Sequence, residues 1–143
     1  MTAQDHIVFV VDDDFRMREA LQELLASAHL NVVTFGSAAE YLEFAKPDLP
    51  GCLILDVDLP DINGFALQSQ LVGQLHPQIV FITGHGDVPS SVRALKAGAV
   101  DFLTKPFSEA DLMGAIHTAL AQDREARLLR GKLATLRQRC SGG

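Results

Sequence analysis

The chain has little of what would mark a secreted or membrane-bound protein. Its 143 residues contain two cysteines and no tryptophan, and no apolar run reaches the 18 or so residues that a membrane-spanning helix needs. The first residues lack the basic segment and apolar stretch of a secretory signal. Cysteine this sparse predicts no disulfide framework. We therefore expect a cytoplasmic protein with no membrane association.

Ligands for a zinc ion do not occur in any usual spacing. Cys52 lies inside an apolar run, and Cys140 stands near the end of the chain. The histidines are scattered along the sequence, as His6, His29, His76, His85 and His117. This distribution predicts no zinc site.

Basic residues are scarce over most of the chain. Residues 1–123 carry 6 basic and 17 acidic side chains, whereas residues 124–143 carry 6 basic and 1 acidic. The acidic part argues against direct contact with nucleic acid. The basic part suits a solvated helix face. We expect a folded domain at 1–123 and a basic helical linker or tail at 124–143.

The chain contains several short apolar runs in which polar and apolar residues do not alternate. Such runs are typical of strands buried on both faces of a parallel sheet. Four of them lead directly into polar residues: 7–11 into Asp12-Asp13, 52–55 into Asp56, 79–82 into Thr83, and 101–104 into Lys105. Because ligands bind beyond the carboxyl ends of such strands, we expect these side chains at one edge of the sheet.

Strand and helix signals alternate five times, which predicts an α/β fold. We expect a doubly wound, five-stranded parallel sheet in the flavodoxin-like order 2-1-3-4-5. Predicted strands cover 7–11, 32–35, 52–55, 79–82 and 100–104; predicted helices cover 16–28, 65–75 and 89–97 and begin after Ser37 and Ser108. Asp14, Ser37 and Ser108 suit N-caps, and Glu40 would complete a capping box with Ser37.

The last helix is expected to run beyond residue 123. Its apolar residues follow heptad spacing, at Ala126, Leu129, Leu133, Leu136 and Cys140. The pattern covers only about two heptads, which supports a coiled coil weakly. We favour a helix end whose first leucines pack on the domain.

Asp13 and Asp56 are predicted on neighbouring strands, so their carboxylates can share one cation. Mg²⁺ prefers carboxylates, carbonyls, waters and phosphate oxygens as ligands, and Asp12 would hold its waters. The alternative is that these acids only cap a helix, and a single acid at this position would be ordinary. Three acids at 12–14 facing Asp56 would destabilise the fold without a cation, because like charges repel.

Asp56 is then the candidate nucleophile, since carboxylates form aspartyl-phosphate intermediates. Thr83 could hydrogen-bond one phosphoryl oxygen, and Lys105 could neutralise another as a compact charge. Alone, a threonine at a strand end is more often structural and a lysine is usually solvated. Their joint placement on consecutive strand ends favours the functional interpretation. Gly64 suits a tight turn or a close approach of backbone.

The motifs Val11-Asp12-Asp13, Leu55-Asp56, Asp58-Leu59-Pro60, Gly64, Thr83-Gly84 and Lys105-Pro106 together resemble the receiver domain of two-component response regulators. The resemblance covers about residues 5–122. The stretches 81–89 and 96–102 are similar to the FixJ-type subgroup. The resemblance implies a CheY-like form of the predicted fold.

The resemblance also implies roles for the matching residues. Asp56 would accept a phosphoryl group from the phosphohistidine of a sensor histidine kinase, in a reaction that needs Mg²⁺ or Mn²⁺. The metal ligands would be Asp12, Asp13, Asp56 and the backbone carbonyl of Asp58. Thr83 and Lys105 would bind the phosphoryl oxygens. The chain would be a signalling domain, not an enzyme in the ordinary sense.

Signal output is implied in the same way. On phosphorylation Thr83 would turn inward and Phe102 would follow, changing the face formed by the fourth helix, fifth strand and fifth helix. That face could support a phosphorylation-dependent homodimer. FixJ-type regulators usually continue into a helix-turn-helix domain, for which this chain stops too early. We therefore expect control of transcription through an output domain absent from the chain, with DNA bound only there.

Three alternatives stay open at this point. The chain could be a stand-alone receiver that serves as an adaptor or phosphate sink, or a receiver that only binds other proteins. The segment 53–58 also resembles the nucleophile motif of haloacid-dehalogenase-type phosphatases, with Asp58 as acid/base. That family needs an acidic metal pair after its lysine, whereas here the pair precedes it.

Two residues beside the predicted site lead to a hypothesis about the lifetime of the phosphorylated form. Asp58 adds a carboxylate two positions after Asp56, and His85 lies two positions after Thr83. We expect both side chains to influence dephosphorylation.

Overall fold

The computed structural model describes residues 5–142, with side chains for residues 5–136. Its strands form one parallel sheet in the order β2-β1-β3-β4-β5, as predicted. The strands are β1 (Ile7–Val11), β2 (Val32–Phe35), β3 (Gly51–Asp56), β4 (Gln78–Thr83) and β5 (Asp101–Thr104). The helices are α1 (Phe15–Ser27), α2 (Ala38–Glu43), α3 (Gly64–Leu71), α4 (Val88–Lys96) and α5 (Glu109–Gly142).

Two apolar layers cover the sheet because successive strand residues point to opposite faces. Every residue of β1 and β3 is buried. On one face, Phe9 and Leu53 pack in a core that includes residues of α2, α3 and α4. On the other, Val10 and Ile54 pack in a core that includes residues of α1 and α5. The uninterrupted apolar runs of the sequence are therefore explained by helices on both sides.

The predicted helix caps are present. Asp14 accepts a hydrogen bond from Arg16 N at 3.0 Å, and Ser108 Oγ accepts one from Asp111 N at 3.0 Å. Ser37 Oγ accepts from Glu40 N, but the return bond of the capping box is displaced by one residue. The Glu40 carboxylate accepts from Gly36 N at 2.8 Å instead of Ser37 N.

Helix α3 is shorter than predicted. It ends at Leu71, not residue 75, because Val72 adopts ψ 132 and Gly73 adopts a left-handed φ of +84. The chain turns away there, and Leu75 is 59% exposed. The helical spacing of Leu75 was therefore misleading.

The last helix does continue past residue 123, but its leucines do not pack on the domain. Leu129, Leu133 and Leu136 are all exposed, so that expectation is wrong. Cys140, the last residue of the predicted seam, lies outside the residues whose side chains are described. Within residues 5–142, no helix combines the length and apolar character needed to span a bilayer.

Candidate functional site

The polar residues that follow the strands meet at one edge of the sheet, as the sequence predicts. Carboxylate oxygens of Asp12, Asp13 and Asp56 lie within 4.8 Å of one another. Asp12 is fully buried and Asp56 is 4% exposed, whereas Asp13 is exposed. The group therefore offers two fixed, buried carboxylates and one that solvent can reach.

Lys105 is the cation that this cluster contacts. Its Nζ lies 3.0 Å from Asp12 Oδ2 and 3.4 Å from Asp56 Oδ2. Burial alone would lower the pKa of Lys105, but the hydrogen bond and charge of Asp12, together with Asp56, outweigh it and raise the pKa. The Lys105–Pro106 peptide bond is cis, and Lys105 N donates to the carbonyl of Thr83 at 2.7 Å.

Backbone groups hold the two buried carboxylates in place. Asp56 Oδ1 accepts from Asp58 N at 2.9 Å, and Asp12 Oδ1 accepts from Asp14 N at 2.9 Å. Burial raises the pKa of Asp56, and the neighbouring Asp12 carboxylate raises it further, while the Asp58 N–H and the Lys105 charge oppose the rise. The Asp56 carboxylate is therefore held at a position where negative charge is unfavourable.

Thr83 lies at the end of β4 and is 2% exposed. Its hydroxyl donates to Asp58 Oδ2 at 3.3 Å and accepts from His85 N at 3.1 Å. Asp58 Oδ2 also lies 4.0 Å from His85 Nδ1, at the exposed rim of the site. From the sequence, the Asp58 carbonyl was expected as a metal ligand and its side chain as an additional negative charge beside the site. The hydrogen bond between Asp58 and Thr83 was not predicted.

Phe102 is partly buried against two aromatic rings. It is stacked on Phe65 with centroids 6.3 Å apart, and Phe81 lies at the same distance at an angle of 50°. On another side Phe102 borders a cavity of about 270 Å³, which Ser91 and Thr104 also line. Phe102 thus contacts the rings of Phe65 and Phe81 and also borders a cavity that α4 lines through Ser91.

The backbone at Gly64 lies close to the backbone of Asp56 and Val57, as expected. A Cβ at this position would lie 2.7 Å from the carbonyl oxygen of Asp56. Any side chain here would therefore displace the loop that follows the proposed acceptor.

The chain belongs to the response regulator receiver domain family, whose model matches residues 8–117. Nodulation protein W of Bradyrhizobium diazoefficiens is 48% identical over 132 residues, which are 92% of this chain and 58% of the relative. Transcriptional regulatory protein FixJ of the same organism is 44% identical over 124 residues, covering 85% of this chain and 60% of the relative. The resemblance to FixJ-type receivers is thereby confirmed.

The solved structure of response regulator StyR matches with a TM-score of 0.86 at 46% identity, covering 96% of this chain and 70% of that one. The chain spans little more than half the length of the curated relatives it matches. Membership of this family makes the chain a signalling domain of two-component systems, and it argues against the phosphatase alternative.

Proposed function

We propose that this receiver domain is a cytoplasmic phosphoacceptor. Asp56 would accept a phosphoryl group from the phosphohistidine of a sensor histidine kinase. A carboxylate oxygen of Asp56 forms the O–P bond while the N–P bond breaks, and the imidazole leaves with the electron pair. The observation that carries the proposal is the Asp56 carboxylate within 4.8 Å of two further acids and in contact with Lys105.

A divalent cation fits the donors at this site. Three carboxylates converge, two of them buried, and Lys105 Nζ donates hydrogen bonds to two of the three, Asp12 and Asp56. Oxygen donors of this kind suit Mg²⁺ or Mn²⁺. We assign Asp12, Asp13, Asp56 and the backbone carbonyl of Asp58 as the residues that would hold it. The cation would supply positive charge against the phosphoryl oxygens.

Thr83 and Lys105 are assigned to the transferred group. The Lys105 Nζ already contacts the proposed acceptor, so it is placed to neutralise a phosphoryl oxygen attached there. The Thr83 hydroxyl would donate to a second oxygen, which requires it to leave Asp58 Oδ2. Asp58 and the phosphoryl group would thus compete as acceptors for the Thr83 hydroxyl.

Movement of Thr83 would be transmitted through Phe102. The cavity beside Phe102 lies between the end of β5 and the start of α4, so it gives the ring space to turn. The exposed side chains of Val88, Val92 and Leu95 on α4 suit a surface that changes partners. We propose that phosphorylation changes the face formed by α4, β5 and α5 and favours a homodimer.

Residues 1–123 would form the receiver, and 124–143 a basic helical linker or tail. The relatives are longer than this chain, and several are named as transcriptional regulators. This supports control of transcription through an output domain that is not part of this chain. DNA would be bound only by that domain.

The test is the mass of the intact protein after incubation with acetyl phosphate and Mg²⁺. One added phosphoryl group is expected in the parent and none in Asp56→Asn. A chelator should abolish the gain, and Glu19→Gln, which removes an exposed acid from α1, should leave it unchanged. Equal phosphorylation of the Asp56→Asn variant would contradict the assignment. If acetyl phosphate is not a donor, a histidine kinase replaces it in the same comparison.

A further inference from the structure

A second cavity lies at the opposite end of the sheet from Asp56. It has a volume of about 410 Å³ and is lined by the residue before β1, the turn after α1 and one face of α5. His6 directly precedes β1, whereas Asp12 directly follows it. At about 3.3 Å per strand residue, the two ends are roughly 20 Å apart. The cavity is therefore separate from the phosphorylation site.

The cavity gathers an unusual share of the chain's positive or protonatable groups. His6, His29, His117 and Arg124 all line it. They include three of the five histidines, in a domain whose first 123 residues carry only six lysines and arginines. No carboxylate is among the described residues that line the cavity. These histidines are scattered in the sequence and meet only in the fold.

His6 is 8% exposed, and its Nε2 has no hydrogen-bond partner among the described residues. Burial lowers the pKa of His6, Arg124 and His117 lower it further, and Asp5 opposes them. Burial and the positive charge of Arg124 in the cavity wall therefore resist protonation of His6. An anion bound among these groups would reverse that effect.

The lining favours an anion over a metal ion. Within the described residues, Asp12, Asp13 and Asp56 form the one group of three or more possible ligands whose atoms lie within 4.8 Å of one another. The three histidines are thus not gathered around a single point. Arg124 cannot ligate a metal, but its guanidinium has five N–H donors, enough to serve an anion besides its existing interaction.

The floor of the cavity is apolar. Leu30 is 9% exposed and Leu120 is 8% exposed, and both line the cavity with the basic residues around them. A cavity of this volume is in the usual range for small-molecule sites. An apolar floor beside N–H donors suits a ligand with a hydrocarbon body and a single anionic group.

We propose that this cavity binds a small organic carboxylate, with the carboxylate at Arg124 and His117 and the hydrocarbon part over Leu30 and Leu120. Arg124 is the first residue of the proposed basic tail. The ligand would therefore join the start of the tail to the end of α1. This site is independent of phosphorylation at Asp56.

The test is titration of the full chain with benzoate, followed by amide chemical shifts, with neutral benzamide and inorganic phosphate as comparison ligands. Benzoate should shift residues 28–30 and 117–124 and bind more tightly than either comparison. Arg124→Gln and His117→Gln should each weaken benzoate by about tenfold, the scale of one lost charge-assisted hydrogen bond. His76→Gln, a histidine outside the cavity, should bind as the parent does.

Three results would overturn the proposal. Benzamide binding as tightly as benzoate would show that charge is not recognised, and phosphate binding as tightly would show that the apolar floor contributes nothing. Unchanged affinity in both Arg124→Gln and His117→Gln, with folding verified by circular dichroism, would place benzoate elsewhere.

Discussion

The carboxylate of Asp58 accepts a hydrogen bond from the Thr83 hydroxyl, with 3.3 Å between the two oxygens. Thr83 is 2% exposed, whereas the Asp58 side chain is 58% exposed. The bond therefore joins a buried hydroxyl, which we assign to phosphoryl binding, to a carboxylate at the rim. A phosphoryl group on Asp56 would have to displace Asp58 as the acceptor for that hydroxyl.

Asp58→Asn should lengthen the lifetime of phosphorylated protein. The change removes a charge that competes for Thr83 and repels the phosphoryl oxygens. A gain of about 1 kcal/mol for the phosphorylated state corresponds to a roughly fivefold slower decay. The decay of the phosphorylated mass after removal of the donor measures it.

Asp61→Asn is the matched control, because Asp61 binds the first turn of α2 through Ala38 N and Ala39 N. It should leave the decay unchanged. His85 is 93% exposed, and its Nδ1 lies 4.0 Å from Asp58 Oδ2. His85→Ala should therefore change the decay of the phosphorylated protein less than Asp58→Asn does. In the Asp58→Asn background, His85→Ala should have no effect on the decay. A decay in Asp58→Asn as fast as in the parent would show that Asp58 does not restrain Thr83.

Asp56→Asn should stabilise the protein when divalent cations are absent. Asn keeps an oxygen for the Asp58 N–H, and the change removes one of three mutually repelling carboxylates. We expect the free energy of unfolding to rise by about 1 kcal/mol, within the usual range for one substitution. Chemical denaturation with a chelator present measures it.

Millimolar Mg²⁺ should reverse that order. A cation that binds the folded state stabilises it by mass action, and the parent offers it one more carboxylate than the variant. Glu19→Gln removes the same charge from an exposed position and should respond to Mg²⁺ as the parent does. Equal stabilisation of the parent and Asp56→Asn would argue that Asp56 does not contribute to cation binding.

His6 should give the stability of the protein a pH dependence. Its pKa is lowered from the ordinary value of 6.5, chiefly by burial and then by Arg124 and His117, with Asp5 opposing. As pH falls through 6.5, the unfolded chain takes up a proton that the folded chain resists. Since the unfolded state then binds more protons, the free energy of unfolding falls with pH until the folded-state pKa is reached.

His6→Gln should flatten this part of the profile, whatever its stability at pH 7.5. Denaturation series from pH 7.5 to pH 5.5 would compare slopes, which do not depend on the variant's starting stability. His76→Gln should retain the slope of the parent. A slope in His6→Gln equal to that of the parent would mean that other groups cause the decline.

The sheet and the acidic site could be predicted because their signals are local. β1 is an uninterrupted apolar run, and similar runs form most of β3 and β4. The polar residues at the carboxyl ends of these runs therefore lie at one edge of the sheet. Helix α3 was predicted too long because Leu75 fits the helical spacing, while the turn at Val72 and Gly73 leaves no mark in that spacing. Periodicity shows which residues could share a face and not whether the chain continues in a helix.

Contacts between distant segments could not be predicted. His6, His29 and His117 are far apart in sequence and meet only because α1 and α5 pack on the same face of the sheet. The bond between Asp58 and Thr83 joins loops after two different strands. The leucines of the tail were expected to pack on the domain, but the structure instead shows ion pairs of Arg127 with Asp48 and Asp123 at the start of the tail.

Asp123 and Arg127 connect the part of α5 where the tail begins to the start of β3 and the loop before it. Asp123 is fully buried, and its Oδ2 accepts from Gly51 N at 2.8 Å and from Arg127 Nε at 2.9 Å. Arg127 also binds Asp48. Because removing one partner leaves a buried charge poorly compensated, Arg127→Gln should cost about 2–3 kcal/mol of unfolding free energy.

The double variant Asp123→Asn/Arg127→Gln should recover part of that loss, since it removes the buried charge as well as its partner. Arg130→Gln, an exposed arginine one turn further along α5, should change stability by no more than about 0.5 kcal/mol. Chemical denaturation of the three variants beside the parent measures all of these values. If Arg127→Gln were as stable as Arg130→Gln, the Asp123 charge would be compensated without Arg127, and the ion pairs of Arg127 would not stabilise the domain.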